Sequence, residues 1–227
     1  MNLIELWTIC STNNIVLSKE QMFALERFHN EILHWNKKIN LISRMDEDNI
    51  YIRHILHSLS IVKYVDIPLK SKCLDIGTGG GFPGIPIKIA IPEINMLLVD
   101  SIKKKVSVAE MLAKHTDLRK ISALCSRVED LASNKQYKNS FNFIFARAVA
   151  RMNDLVSWSK DLIAKDGKFV FLKGGPLDEE IRFLKRDFPN IEVEEIKINM
   201  LGVDWFHKEE KKIIICQFKK EENVVAE

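Results

Sequence analysis

From residue 72 onward, short apolar runs alternate with amphipathic stretches, and this alternation narrows the possible folds more than any other feature of the chain. The apolar runs lie at 72–76, 95–99, 121–125, 141–146 and 168–172. Helical patterns near 84–91, 102–115, 153–164 and 177–187 separate them. That order predicts βαβ units and a parallel sheet covered by helices on both faces. Two more runs, 191–198 and 212–218, follow with no helix-length segment between them, so they are expected to pair antiparallel. The expectation is a doubly wound α/β fold with a mostly parallel, seven-stranded sheet and an antiparallel last strand.

Residues 1–66 read differently. Ser18 followed by Gln21 predicts a capping-box helix start. Met22, Leu25, Phe28, Ile32 and Trp35 then recur at helical spacing, and a second helix is predicted over 46–65. Pro68 and the polar stretch after it mark a boundary between a helical extension, 1–66, and the α/β domain, 67–227. The tail from Lys219 reads as frayed.

The glycines locate the ligand. Five of the nine lie in 73–86, CLDIGTGGGFPGIP. Two fingerprints overlap there. Gly79, Gly81 and Gly84 spell the dinucleotide pattern G-x-G-x-x-G, which needs its first glycine at the strand end. The strand is predicted to end at Ile76, so that match is out of register. Asp75, Gly77 and Gly79 spell D-x-G-x-G, the turn used for S-adenosylmethionine, and here the register fits. Asp75 suits a cationic ligand such as this sulfonium through charge balance. Asp100, ending the second run, is placed to accept hydrogen bonds from ribose hydroxyls or to cap the helix that follows. After the third strand, Val128 could cover the adenine ring and Glu129 or the backbone could meet its amine. Ser126 and Glu129 also match a capping box.

The acceptor is constrained by what the chain lacks. The fourth run ends Ala146-Arg147-Ala148, without the Asn/Asp-Pro-Pro-aromatic turn used on exocyclic amines and without a Pro-Cys nucleophile. An atom with a ready lone pair, such as guanine N7, fits. It needs no base, so catalysis can rest on alignment. Arg147 could contact guanine O6, hold the methionine end of the cofactor, or form a structural ion pair.

Seven segments in order, WNKKINLISR (35–44), RHILHSL (53–59), LDIGTGGGFPGIPI (74–87), VDSIKKK (99–105), SRVEDL (126–131), ARAVA (146–150) and LKGG (172–175), resemble the small-subunit ribosomal RNA guanine-N7 methyltransferase family, also called glucose-inhibited division protein B. The resemblance covers about residues 20–218. It implies a Rossmann-like class I methyltransferase fold and S-adenosyl-L-methionine as cofactor. It also implies a guanine in the decoding-region loop of 16S rRNA, in the small ribosomal subunit, as substrate. Cofactor contacts then fall on Gly77, Phe82, Val128, Glu129 and Arg147, with Asp100 near the ribose. Two departures stand out: His57 where the family has Asp, and Lys211-Lys212 where it has Arg-His. The alternatives are a small-molecule methyltransferase, an NAD-binding protein and a non-catalytic RNA-binding module.

Charge supports an anionic partner only locally. Net charge is +3, but residues 103–127 hold seven basic and two acidic residues. Lys103, Lys104 and Lys105, with Lys211 and Lys212, are the candidate RNA contacts. Trp205-Phe206 could stack on a base or simply pack. His54 and His57 lack a third ligand, so packing or RNA-facing roles are expected and no metal. Cys10, Cys73, Cys125 and Cys216 form no C-x-x-C pair and read as buried, reduced thiols. No apolar run approaches the ~18 residues that span a bilayer. The N-terminus lacks a basic signal-peptide region. A monomeric cytoplasmic protein is expected.

Overall fold

A computed structural model describes residues 1–219; beyond Lys219 the expected frayed tail lies outside the described residues. The seven strands are β1 (Lys72–Ile76), β2 (Asn95–Asp100), β3 (Ile121–Cys125), β4 (Phe141–Arg147), β5 (Ile163–Gly174), β6 (Ile191–Lys197) and β7 (Lys211–Phe218). They form one sheet in the order β3-β2-β1-β4-β5-β7-β6. The first five run parallel, and β7 runs antiparallel to both β5 and β6. The strand order reverses between β1 and β4, and a crevice at the carboxyl ends of such strands is where open α/β sheets bind ligands.

The helices are α1 (Leu3–Thr12), α2 (Lys19–Asn36), α3 (His57–Tyr64), α4 (Gly84–Ala90), α5 (Lys103–His115), α6 (Val128–Ala132), α7 (Met152–Ser159), α8 (Asp178–Asp187) and α9 (Trp205–Lys208). The period-two alternation of the strands divides the core into two layers. Cys73, Leu98, Phe143, Phe145 and Ile213 face one side, with α2, α4 and α5. Leu74, Val99, Ile144, Phe169 and Ile214 face the other, with α7 and α8.

The predicted start of α2 is as expected. Ser18 accepts from the Gln21 amide, Gln21 accepts from the Ser18 amide in return, and Met22, Leu25, Phe28 and Ile32 are buried. The helix docks on the sheet domain through its polar groups as well. Gln21 donates to the Ile89 and Ala90 carbonyls at the end of α4, and Arg27 to the His115 carbonyl at the end of α5. Orphan C-terminal carbonyls are thereby satisfied.

Three expectations change. The helix over 46–65 is three pieces: a 3₁₀ turn Arg44–Asn49, a π-helical segment Tyr51–Leu56, and α3. Apolar spacing reports the buried face, and is silent on hydrogen-bond spacing; here Asp46 bonds Arg53 and His54 across the irregular pieces, and His54 meets Arg147 on the sheet. The helix predicted to run to 164 stops at Ser159, because Ile163 pairs with Phe141 and begins a longer β5. Cys125 is exposed, since β3 is an edge strand; the other three cysteines are buried. Among the described residues, no helix is long and apolar enough to cross a membrane.

Candidate active site

The glycine loop follows β1 and is tied down by two carboxylates. Asp75 Oδ2 accepts from Thr78 Oγ1 at 2.6 Å and from the Gly84 amide at 3.0 Å. Asp100 Oδ2 accepts from the Gly79 amide at 3.0 Å, and its Oδ1 from the Ile102 amide at 2.9 Å. Gly77 lies at φ +63°, and a Cβ there would sit 2.5 Å from Val149 Cγ2, so only glycine leaves this space open.

A cavity of about 300 Å³ opens above the loop. Gly77, Asp100, Val128 and Glu129 line it, together with Lys105, Val149 and Trp158. Four of the expected cofactor residues are therefore brought together across three strand ends. Asp100 is buried at the rim and keeps carboxylate lone pairs beyond its two loop bonds. It is not the N-cap of α5; Ile102 holds that position without a side-chain bond. The Ser126–Glu129 capping box does not form either, since Arg127 is the N-cap and Ser126 Oγ donates to the Arg127 carbonyl.

Asp75 and Phe82 sit elsewhere than expected. Asp75 is fully buried beneath the loop and lines neither cavity of this site. Its Oδ1 has no partner, and burial pushes its carboxyl up to about 7, against the pull of Thr78, Gly84 and Arg147. Phe82 is buried and packs edge-on to Phe28 at 5.0 Å. Bonds to Thr78 and Gly84 hold the Asp75 carboxyl inward, and packing against Phe28 and His54 holds the Phe82 ring.

A second cavity, about 540 Å³, adjoins the first, with Ala148 bordering both. Its walls include Asp46, His54, His57, Arg147, Trp205 and Lys211. Arg147 leaves the end of β4 and lies over the Phe82 ring at 4.9 Å. Burial lowers its guanidinium to about 10, opposed by Asp75 and Asp46, which still leaves it charged at neutral pH. His57 is buried, its Nε2 has no partner, and its ring packs edge-on to Trp205 and Phe206. Burial and the charges of Arg147 and Lys211 hold it well below the ordinary histidine range, so it is neutral. Trp205 borders the cavity with an unpartnered indole N–H, while Phe206 is core, which separates two roles the sequence left joined.

The candidate RNA lysines divide. Lys103 and Lys104 are exposed and Lys105 leans into the first cavity. All three occupy the first turn of α5, where the helix dipole disfavours cations and no acidic residue offsets them. Lys211 lies over the Trp205 ring and 3.8 Å from Glu209. Lys212 is taken up by Glu195 at 3.0 Å and is 12% exposed, so it is no free phosphate contact. Asp46 and Arg53, which the sequence did not single out, enter the second cavity by their contacts with His54 and Arg147. Among the described residues, no three His, Cys, Asp or Glu side chains gather as a metal site.

Solved structures share the architecture. An O-methyltransferase from Bacillus cereus, in complex with S-adenosylhomocysteine, superposes with TM-score 0.58 at 16% identity, covering 85% of this chain and 90% of that one. A SAM-dependent methyltransferase from Aquifex aeolicus gives 0.52 at 15% identity, covering 70% and 87%. Sequence relatives are nearer. Ribosomal RNA small subunit methyltransferase G of Flavobacterium psychrophilum is 39% identical over 209 residues, 89% of this chain and 94% of that protein. Its namesake from Flavobacterium johnsoniae is 44% identical over 168 residues, 71% and 74% of the two chains, and that from Desulforamulus reducens is 32% identical over 208, 92% and 87%. The family described as rRNA small subunit methyltransferase G matches residues 21–212, which takes in the glycine loop, both cavities and the helices that wall them. This match and these relatives place the chain in the rRNA small subunit methyltransferase G family.

Proposed function

We propose that the chain transfers the methyl group of S-adenosyl-L-methionine to N7 of a guanine in 16S rRNA. The observation that carries this reading is the pair of adjoining cavities meeting at Ala148, one lined by Gly77, Asp100, Val128 and Glu129 and the other walled by Arg147, His54 and Trp205. When bound, the cofactor supplies an electrophilic methyl on a sulfonium. Asp100 would hold its ribose, Gly77 and Gly79 would let the backbone approach it, and Val128 and Glu129 would border the adenine. Asp75 and Phe82 support this cradle from within the loop. Arg147 lines the second cavity next to Ala148, and there it would hold the guanine O6 edge beside the methyl. N7 carries no proton, so the residues need only align the partners, which is worth several kcal/mol when the geometry is right. His54 is not asked to be a base, and its Nδ1 is already engaged by Arg147.

In this reading residues 1–66 are a helical extension that builds the acceptor side, and Lys103 and Lys104 draw the RNA backbone. The chain works as a monomer in the cytoplasm, without a metal. The test is incubation of the purified chain with small-subunit rRNA and isotopically labelled cofactor, followed by nucleoside mass spectrometry. Label in N7-methylguanine is expected. Label in another nucleoside, or turnover of a small molecule with none on rRNA, overturns the reading.

A further inference from the structure

Asp46, His54 and Arg147 form a chain of hydrogen bonds whose direction can be read from chemistry alone. Arg147 Nη2 lies 2.8 Å from His54 Nδ1, and Nη1 donates to the Arg53 carbonyl at 3.2 Å. A guanidinium carries only donors, so Nδ1 must present its lone pair. At the other side of the ring, His54 Nε2 lies 3.1 Å from Asp46 Oδ2. An ionised carboxylate only accepts, so Nε2 carries the proton. Asp46 Oδ1 in turn takes a bond from Arg53 Nη1 at 2.5 Å. The Phe82 ring lies beneath both the guanidinium and the imidazole, 4.9 and 5.2 Å away.

We propose that Asp46 and His54 are positioning residues for methyl transfer: Asp46 selects the Nε2–H tautomer of His54, whose Nδ1 lone pair then fixes the Arg147 guanidinium in the wall of the second cavity, one residue before the Ala148 that borders both. The proposal rests on the reading of Arg147 given above. The opposite tautomer would set an N–H against the Arg147 N–H and release the guanidinium. A charged imidazole would do so too, and burial with the Arg147 charge pushes the His54 pKa down to about 4, against the pull of Asp46. Two of the five guanidinium donors serve this anchoring, which leaves three for the cofactor or the base. The arrangement joins the turn at Arg44–Asn49 and the π-helical segment to the end of β4, and so assigns the helical extension a part in the reaction.

The experiment pairs kinetics with nitrogen-15 NMR of histidine-labelled protein. In the wild type, His54 Nδ1 is expected to resonate as an unprotonated nitrogen and Nε2 as a protonated one. Asp46→Asn, which can donate as well as accept, is expected to lower kcat on rRNA about tenfold or more, as small displacements of a reacting group do. Its KM for rRNA and its affinity for S-adenosylhomocysteine should hold, and Asp46→Glu should restore most of the rate. A protonated Nδ1 in the wild type overturns the proposal without any variant. So does full activity of Asp46→Asn beside an impaired Arg147→Lys. Full activity of Arg147→Lys instead overturns the reading of Arg147 and, with it, the catalytic consequence of the anchoring.

Discussion

At the scale of single residues, burial changes what two motif positions do. Asp75 completes a D-x-G-x-G turn, yet its carboxylate points back into the loop, with its pKa raised to about 7 from 3.8 chiefly by desolvation. The folded chain therefore keeps a proton there that the unfolded chain has given up. Its contribution to stability is complete below about pH 3.8 and disappears as the pH climbs to about 7. Asp75→Asn keeps an acceptor for Thr78 and Gly84 without the charge. Its melting temperature relative to wild type should improve steadily between about pH 4 and 8, as measured by calorimetry; a constant difference would show that Asp75 does not titrate there. Gly77 is fixed by space as well as by backbone conformation. Gly77→Val puts a branched side chain into Val149 at a left-handed φ. The affinity for S-adenosylhomocysteine, read by titration calorimetry, should fall on the order of 100-fold or more. Retained affinity would contradict the placement of the cofactor over this glycine.

At the scale of elements, α2 and α5 have roles that their own sequences only half disclose. The apolar stripe of α2 was legible from its 3.6-residue period, but its target was not. Phe28 meets Phe82 edge-on, so a helix near the N-terminus buttresses the glycine loop. Phe28→Ala should cost about 3–5 kcal/mol in denaturant unfolding, as large-to-small core changes do, and weaken cofactor binding. Reduced stability with unchanged binding would mean the loop holds its shape unaided. The three lysines that open α5 act against the helix dipole, a local cost that makes sense if the turn faces an anion. Replacing Lys103 and Lys104 with Ala should make the slope of log affinity for rRNA against log salt shallower, by about 0.7 for each phosphate no longer neutralised. Filter binding across a salt series reads this directly, and an unchanged slope would place the RNA elsewhere.

At the scale of the whole molecule, the helical extension and the sheet share one core layer. Leu25, Phe28 and Ile32 from the extension lie in the same cluster as Ile85, Leu98 and Phe145. Deleting residues 1–66 would expose that layer. The remaining sheet is expected to forfeit cooperative thermal unfolding and to precipitate, whatever its intrinsic cofactor affinity. A soluble, cooperatively melting fragment would show that the boundary near Pro68 separates independent units. The change of pattern near Pro68 is legible because composition changes there. The shared core is not, because a hydrophobic stripe announces that it will be buried without naming its partner.

The sequence by itself determined the order of the strands and of the main helices between them, the out-of-register dinucleotide match, and the positions of Gly77, Asp100, Val128 and Glu129 at or just beyond the ends of strands. Each of these is a local property: a period of two or 3.6, or a turn that only glycine tolerates. Tertiary structure alone decided that Asp75 and Phe82 turn inward, that Lys212 is engaged by Glu195, and that Asp46 and His54 reach Arg147. His54 and Arg147 stand 93 residues apart, and neither carries a sequence signal of the other. Their contact exists because α2 and the irregular segment after it pack on the sheet, which carries His54 to the end of β4.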